Sequence, residues 1–183
     1  QKRQEIGTVK NQDILENQVN KAYLALGSNL GDKKKNLIIS KYLISSLGIN
    51  ILKTSSFYES KSWPNKRFPT YINVVILIKT SLGLLELFNK IKNIEKYMGR
   101  TKTPKNYPRI CDIDIIDFNG VHKNISTSYN EITIPHPRMH KRNFVLIPLY
   151  EINKKWIHSK FKKNIAKLIS NLSNNDLRGV KIV

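Results

Sequence analysis

Two aspartates stand two residues apart in Arg109–Ile116, a segment that is otherwise apolar and rich in β-branched side chains. In a β-strand this spacing places Asp112 and Asp114 on one face, while Ile113 and Ile115 point to the other. The two aspartate Cα atoms are then roughly 7 Å apart, so their carboxylates repel unless positive charge lies over them. The pattern therefore predicts a strand with one core face. Its other face either binds a pair of divalent cations or is solvated beside lysine counter-ions.

The composition excludes several classes of protein. The chain has 183 residues, which suits one domain. It contains no apolar run near the ~20 residues of a membrane-spanning helix, and no secretory signal is visible at its N-terminus. The single cysteine, Cys111, cannot form an intrachain disulfide and is expected in the core. We therefore expect a cytoplasmic protein, or one of an organellar matrix if the source is eukaryotic.

The formal net charge of +19 predicts partners that carry negative charge, namely nucleic acid, a membrane surface or phosphate-bearing substrates. Lysines outnumber arginines 25 to 7 and are scattered along the chain. The planar guanidinium fork suits specific phosphate recognition better than an ammonium group does. The arginines are therefore more informative about a site than the lysines.

Hydrophobic periodicity divides the chain into a tail and one domain. Residues 1–20 are polar and charged, which predicts a flexible tail or linker ahead of a domain at 21–183. Strands are predicted at 21–26, 49–60 and 70–79, and helices at 33–47, 84–97 and 163–171. Asp32 is expected to cap the first helix and Gly48 to end it. The turn between the first strand and this helix does not match a P-loop.

Basic residues precede the aspartate pair in a loop that is punctuated by prolines. Arg100, Lys102, Lys105 and Arg109 flank the two carboxylates in the sequence. Cations in this position either compensate the acidic charge or hold a polyphosphate against metal ions.

Two further polar residues are candidates for a site. His136 is fixed between two prolines and is followed by Arg142 and Phe144. A lone histidine is usually structural, whereas one fixed by prolines beside two arginines is more suggestive of a functional site. Asn73 interrupts an apolar strand, and its amide either is satisfied within the core or contacts a ligand.

Six motifs, taken in order, resemble those of the 6-hydroxymethyl-7,8-dihydropterin pyrophosphokinases, enzymes of folate biosynthesis. The resemblance covers about residues 21–172. The motifs are Leu26–Gly31, Ser55–Glu59, Tyr71–Asn73, Arg109–Ile116, Ile134–Arg138 and Arg142–Leu149.

The resemblance implies an α+β fold with a ferredoxin-like core, in which a mostly antiparallel sheet is packed by helices in an α/β/α arrangement. It implies a transferase, an ATP-dependent pyrophosphokinase that moves pyrophosphate from MgATP to the hydroxymethyl group of the pterin and releases AMP. It also implies that the chain is fused or adjacent to other folate-pathway enzymes, with residues 1–20 as a linker.

The resemblance further implies roles for individual residues. Asp112 and Asp114 would hold two Mg²⁺ ions, and Arg100, Lys102 and Arg109 would be catalytic by neutralising the transferring group. The implied ATP-binding residues are Lys92, Glu95, Ile115, Thr133, His136 and Arg142. The implied pterin-binding residues are Ser60, Tyr71, Asn73 and Phe144. The loops at 60–69 and 101–108 would close over both substrates.

A function of another class is a basic RNA- or DNA-binding module built on a ferredoxin-like sheet. The net charge favours it, but the sequence shows no aromatic pair of the RNA-binding type on adjacent strands. Its paired aspartates would also repel a nucleic-acid backbone. A catalytically inactive family member is a third alternative, which the intact Asp112, Asp114, Arg109 and His136 disfavour.

Overall fold

The computed structural model describes residues 19–62, 65, 67–100, 107–126 and 131–183. The predicted tail at 1–20 lies almost wholly outside these residues, as do most of the loop at 101–108 and part of the loop at 60–69. Within the described ranges, no helix is long and apolar enough to cross a membrane.

Among the described residues, the secondary structure begins with a strand and ends with one. The strands are β1 (Asn20–Ser28), β2 (Asn50–Thr54), β3 (Tyr58–Ser60), β4 (Tyr71–Thr80), β5 (Asp112–Phe118), β6 (Lys123–Ser126), β7 (Glu131–Ile134), β8 (Ile157–His158), β9 (Lys163–Asn164) and β10 (Val180–Ile182). The α-helices are α1 (Lys33–Ser46), α2 (Leu84–Tyr97), α3 (Asn143–Ile152), α4 (Ile165–Ser170) and α5 (Asn174–Arg178), and Met139–Lys141 forms a short 3₁₀ turn.

The main sheet is antiparallel at each of its pairings. Its strand order is β10-β3-β4-β1-β5, and β2 also pairs with β4. The succession β1-α1-β2-β4-α2-β5 with strand order β2-β4-β1-β5 is a split βαβ arrangement, the ferredoxin-like topology. The predicted ferredoxin-like core is therefore confirmed.

Two apolar cores lie on opposite faces of this sheet. On one face Leu24 and Leu26 of β1 pack with residues of α1 and α2. On the other face Tyr23 and Ala25 pack with α3 and α4. The alternation along β1 follows from the twofold side-chain period of a strand. Helices therefore cover both faces, as the predicted α/β/α arrangement requires.

Local predictions are confirmed where short-range chemistry decides the structure. The Asp32 side chain accepts a hydrogen bond from the Lys35 amide at 3.1 Å and caps α1. Gly48 follows α1 with φ +77°, a left-handed conformation that favours glycine. Cys111 is a free thiol in the core and is 1% exposed.

Other predicted boundaries were wrong because tertiary contacts determine them. The strand predicted at 49–60 is two strands, since both β2 and β3 pair with β4 but their registers are interrupted between Thr54 and Tyr58. The helix predicted at 163–171 is shorter, because Lys163 and Asn164 form β9.

Candidate active site

The aspartate pair opens strand β5 and lies on the predicted face. Asp112 is paired with Gly27 and Asp114 with Ala25 of β1. Each carboxyl side chain is 29% exposed, whereas Ile113 between them is 1% exposed. The strand therefore presents two half-buried carboxylates on one surface.

Two arginines converge on Asp112. The Nη1 atoms of Arg100 and Arg109 donate to its Oδ1 at 2.9 and 3.1 Å. Arg100 follows α2, and its amide donates to the carbonyl of Glu95 at 3.0 Å, which fixes where the side chain starts. Charge-assisted hydrogen bonds of this kind are shorter and stronger than neutral ones.

Asp114 faces an arginine and a histidine. Its Oδ2 accepts from Arg142 Nη1 at 3.0 Å and lies 3.7 Å from His136 Nε2. Burial acts to raise the pKa of Asp114, but His136 and Arg142 outweigh it and hold that pKa below its ordinary value. Burial lowers the pKa of His136, and the Asp114 carboxylate opposes that shift.

The histidine is oriented by its own loop. His136 Nδ1 accepts from the Arg138 amide at 3.2 Å, and the His136 amide donates to the Ile116 carbonyl at 2.9 Å. With Nδ1 acting as an acceptor, the ring proton of the neutral form is on Nε2, directed at Asp114.

Glu95 lies beneath the arginines and is 1% exposed. Its carboxylate accepts from Lys92 Nζ at 2.8 Å and from the Ile113 amide at 2.7 Å, and it also contacts Arg100 Nη1. Burial raises its pKa, and Lys92 and Arg100 act against that shift. Three donors, two of which are cationic, are directed at its two oxygens and favour the ionised form. The structure therefore encloses Glu95 in protein contacts, and its predicted ATP contact stays a prediction.

A buried polar cluster lies beside the carboxylates, near the beginning of β4. Asn73 is 6% exposed, and its Nδ2 donates to Ser60 Oγ at 2.9 Å and to the Tyr58 carbonyl at 3.3 Å. A Cβ atom added to Gly27 would lie 3.3 Å from Tyr71 Cδ1 and 3.4 Å from Asn73 Oδ1. The absence of a side chain at Gly27 therefore leaves room beside Tyr71 and Asn73.

The structure describes the remaining predicted residues, with one exception. The guanidinium carbon of Arg142 lies 5.6 Å from the centroid of the half-buried Phe144 ring, a cation–π geometry. Ile115 is buried in β5, and Thr133 is half-buried in β7. Lys102 lies outside the described residues.

Asn29 was missed by the sequence predictions. Its Oδ1 accepts from the Arg109 amide at 2.8 Å, and its own amide donates to the Arg109 carbonyl at 3.1 Å. Its Nδ2 donates to Ser62 Oγ and to the Pro69 carbonyl, both at 3.3 Å. The rings of Phe68 and Tyr107 are also close, 5.5 Å between centroids. The segments that border the two predicted lids therefore meet at the site.

The donor set fits magnesium better than a closed metal site. Among the described residues, no three His, Cys, Asp or Glu side chains converge in a way that could hold a metal ion. Asp112 and Asp114 supply only two carboxylates. Mg²⁺ is typically held by one or two carboxylates, while substrate phosphates and waters complete its octahedron. The residues present fit such an ion.

Paired carboxylates that are open to a substrate and surrounded by arginines are typical of enzymes that transfer phosphate groups. Comparison with protein-family models indicates the same class of protein. The chain belongs to the 7,8-dihydro-6-hydroxymethylpterin-pyrophosphokinase (HPPK) family, whose model matches residues 23–154. The nucleic-acid-binding alternative has no support in this match.

Individual relatives agree with the family. The 2-amino-4-hydroxy-6-hydroxymethyldihydropteridine pyrophosphokinase of Bacillus subtilis is 40% identical over 134 residues, 73% of this chain and 78% of that protein. The folic acid synthesis protein fol1 of Pneumocystis carinii is 36% identical over 172 residues, 94% of this chain. The chain spans 22% of the length of that second relative.

The fold is similar to that of a solved relative. The wild-type HPPK-DHPS of Plasmodium falciparum superposes with a TM-score of 0.72 at 15% identity, over 92% of this chain and 45% of that chain. At this identity the similarity concerns the fold alone, and it agrees with the ferredoxin-like topology of the main sheet.

Proposed function

We propose that the protein transfers pyrophosphate from MgATP to the hydroxymethyl group of 6-hydroxymethyl-7,8-dihydropterin and releases AMP, a step of folate biosynthesis. The observation that carries the proposal is the convergence of Arg100, Arg109, Arg142 and His136 on two adjacent carboxylates. Family membership supports the same reaction.

The reaction is a displacement at the β-phosphorus of ATP. The hydroxymethyl oxygen forms a bond to this phosphorus, and the bond to the oxygen that bridges the α- and β-phosphorus breaks. AMP leaves with that bonding pair, and the hydroxyl proton passes to solvent. Catalysis of such a transfer is mainly positioning and charge stabilisation.

Asp112 and Asp114 would hold two Mg²⁺ ions, which would supply positive charge for the phosphates and help to lower the pKa of the attacking hydroxyl. The guanidinium groups of Arg100 and Arg109, which lie against Asp112, are the donors that would neutralise the transferring group. Lys102 would assist them. Their arrangement around one carboxylate supports this assignment.

ATP would be held from two sides. His136 and Arg142 would bind phosphate oxygens, with Thr133 and Ile115 beside the nucleotide. Lys92 would approach from α2, since its side chain is 37% exposed while its ammonium group pairs with Glu95. Glu95 would act on the nucleotide through Lys92 and Arg100, because its carboxylate is 1% exposed.

The pterin would occupy the pocket beside Gly27. Ser60 fixes the Asn73 amide by accepting from Nδ2, which would leave Oδ1 for a ring N–H of the pterin. Tyr71 and Phe144 would supply flat apolar surfaces against its ring.

We further propose that residues 21–183 form one domain of a longer folate-synthesis protein. The low coverage of the Pneumocystis carinii relative supports this, with residues 1–20 as the linker. The single buried cysteine suits a reducing compartment, either cytoplasm or an organellar matrix.

The test is to incubate the protein with 6-hydroxymethyl-7,8-dihydropterin and MgATP and to measure AMP. Asp114→Asn should remove turnover and weaken Mg²⁺-dependent nucleotide binding. Asp32→Asn is the control, because asparagine caps a helix about as well as aspartate. Failure to form AMP by protein that binds both substrates would refute the proposal.

A further inference from the structure

The C-terminal strand β10 joins the main sheet beside its shortest member. β10 stands at one end of the strand order, next to the three-residue strand β3. Its register sets Val180 opposite Ser60 and Ile182 opposite Tyr58. On its other side β3 pairs with β4. The family match ends at residue 154, so β10 lies outside it.

Burial of side chains does not account for this strand. Ile182 is 66% exposed, and Lys181 is exposed as well. Of the described residues, those of β10 belong to neither apolar core. The attachment of β10 therefore depends mainly on backbone hydrogen bonds to β3.

The register identifies which backbone groups form those bonds. Just beyond β10, the Val183 amide donates to the Phe57 carbonyl at 3.0 Å. In an antiparallel ladder, hydrogen-bonded pairs alternate with pairs that are not hydrogen-bonded. Two residues further along, Lys181 and Glu59 are therefore a hydrogen-bonded pair, whereas Ile182 and Tyr58 are not. The Ile182 amide points away from β3.

Strand β3 carries both groups that orient the Asn73 amide. Asn73 Nδ2 donates to Ser60 Oγ at 2.9 Å and to the Tyr58 carbonyl at 3.3 Å. Because both acceptors take Nδ2, they determine that Oδ1 is the end of the amide left for another donor. The position of β3 therefore decides how Asn73 is presented.

The segment before β10 also contacts the other side of the proposed pterin site. Asn143 Nδ2 donates to the Asp176 carbonyl of α5, and Asn143 Oδ1 accepts from the Phe144 amide at 2.7 Å. A Cβ atom added to Gly179, between α5 and β10, would lie 3.5 Å from Asn143 Nδ2. One asparagine side chain therefore connects the C-terminal segment to the backbone of Phe144.

We propose that β10 is a positioning element for pterin recognition: it holds β3 in place, and β3 in turn orients the Asn73 amide. This inference rests on the proposed function, in which that amide meets the pterin. Asp112 and Asp114 lie on β5, at the opposite end of the strand order from β10. Loss of β10 pairing therefore weakens the binding of pterin and leaves that of the nucleotide.

Three variants of the complete chain test the role of the backbone bond. Lys181→Pro removes the amide hydrogen that Glu59 accepts. Ile182→Pro is the matched control, because a proline is tolerated where the amide of an edge strand points outward. Lys181→Gln removes the charge of Lys181 and keeps its backbone bond.

The first measurement is the dissociation constant of 6-hydroxymethyl-7,8-dihydropterin at saturating Mg²⁺ and α,β-methylene-ATP, in which a methylene group replaces the bridging oxygen of the bond that breaks. Lys181→Pro should raise this constant about threefold to tenfold, the effect of losing about one hydrogen bond. Its dissociation constant for the nucleotide analogue should stay within about twofold. Both control variants should stay within about twofold for both ligands.

The second measurement is the NMR chemical shift of the Asn73 side-chain amide in the ligand-free protein. These signals should move in Lys181→Pro, because the acceptors on β3 are displaced, and should stay in place in the two controls. Together the two measurements connect the change at β10 to the amide and to the ligand.

An unchanged pterin affinity in Lys181→Pro, or an equal loss in either control, would overturn the inference. So would a parallel loss of nucleotide affinity, or a loss of pterin affinity without movement of the Asn73 signals. Unfolding of Lys181→Pro would also contradict it, since β10 would then support the core. Failure of the unmodified protein to bind pterin would instead refute the proposed function, and the Asn73 signals would still show whether β10 positions the amide.

Discussion

Glu95 of helix α2 accepts a hydrogen bond from the Ile113 amide at 2.7 Å, so a buried carboxylate fixes the strand residue between the two aspartates. The same carboxylate contacts Lys92 and Arg100. One side chain therefore connects a helix, the β5 strand and an arginine that lies on Asp112.

Replacing Glu95 by glutamine should reduce both stability and turnover. Glutamine keeps the size but removes the charge that Lys92 and Arg100 neutralise, which should lower the free energy of unfolding by about 2–4 kcal/mol. Turnover should fall about tenfold or more because Arg100 loses a partner. Chemical denaturation and AMP release measure the two effects. Glu86→Gln, on the exposed side of α2, is the control, and equal behaviour of both variants would disprove the role of Glu95.

Adding a methyl group at Gly27 should impair pterin binding. The new Cβ atom would lie 3.3 Å from Tyr71 Cδ1, a tight contact that requires the Tyr71 ring to shift, and 3.4 Å from Asn73 Oδ1. Gly27→Ala should therefore raise the KM for pterin about tenfold, with a smaller change for ATP. Gly83→Ala is matched to it, since a Cβ there meets no atom within 4 Å. An unchanged pterin KM in Gly27→Ala would place the ring elsewhere.

Removing the Asn73 amide should weaken the binding of pterin but not that of MgATP. Asn73→Ala deletes the group that bonds Ser60 and that is proposed to meet the pterin, so the pterin KM should rise at least about tenfold. The dissociation constant of MgATP should stay within about twofold, because Asn73 touches none of the phosphate-site arginines. Asn89→Ala, exposed on α2, controls for loss of an amide. Parallel loss of both substrates would argue for a structural role.

Stability should fall in mild acid because of His158. This ring is 2% exposed, stacks on Phe161 with centroids 4.4 Å apart, and faces Trp156 and His140. Burial lowers the pKa of His158 to about 4, with smaller effects from His140, His122 and Lys160. Below about pH 6.5, His158 therefore binds a proton in the unfolded chain but stays neutral in the native state until the pH nears 4.

The loss from His158 should begin as the pH drops through about 6.5 and reach up to about 3 kcal/mol near pH 4, below which it levels off. Denaturation at pH 7, 6 and 5 measures the slope. His158→Phe should flatten it by removing the titrating group while keeping a ring. His122→Gln, on an exposed residue, should retain most of it, because His122 has only a smaller effect on the pKa of His158. An identical slope in His158→Phe would assign the pH dependence to other groups.

The predictable parts of this structure depend on neighbours in sequence. The two faces of β5, the Asp32 cap and the Gly48 stop follow from strand period, side-chain hydrogen bonding and backbone sterics. The β-strand β10 pairs with β3 across more than a hundred residues, and local propensity does not determine which strands meet.

The residues of the candidate site also divide into those that the sequence predicts and those that it does not. The aspartates, Asn73 and His136 stood out because polar residues interrupt apolar or proline-fixed segments. Asn29 did not, since its turn resembles an ordinary connection and its partners Arg109 and Pro69 are distant in sequence. The burial of Glu95 was also hidden, because a glutamate on an amphipathic helix is usually solvated.

The arginines and the histidine on Asp112 and Asp114 have a consequence for how the protein is made. Because Arg100, Arg109 and Arg142 already compensate the acidic pair, we expect a newly synthesised chain to complete its fold without the proposed Mg²⁺ ions, unlike domains that metal must assemble. Chelators should therefore abolish the proposed activity without unfolding the protein. A cell short of magnesium would accumulate protein that is folded but inactive.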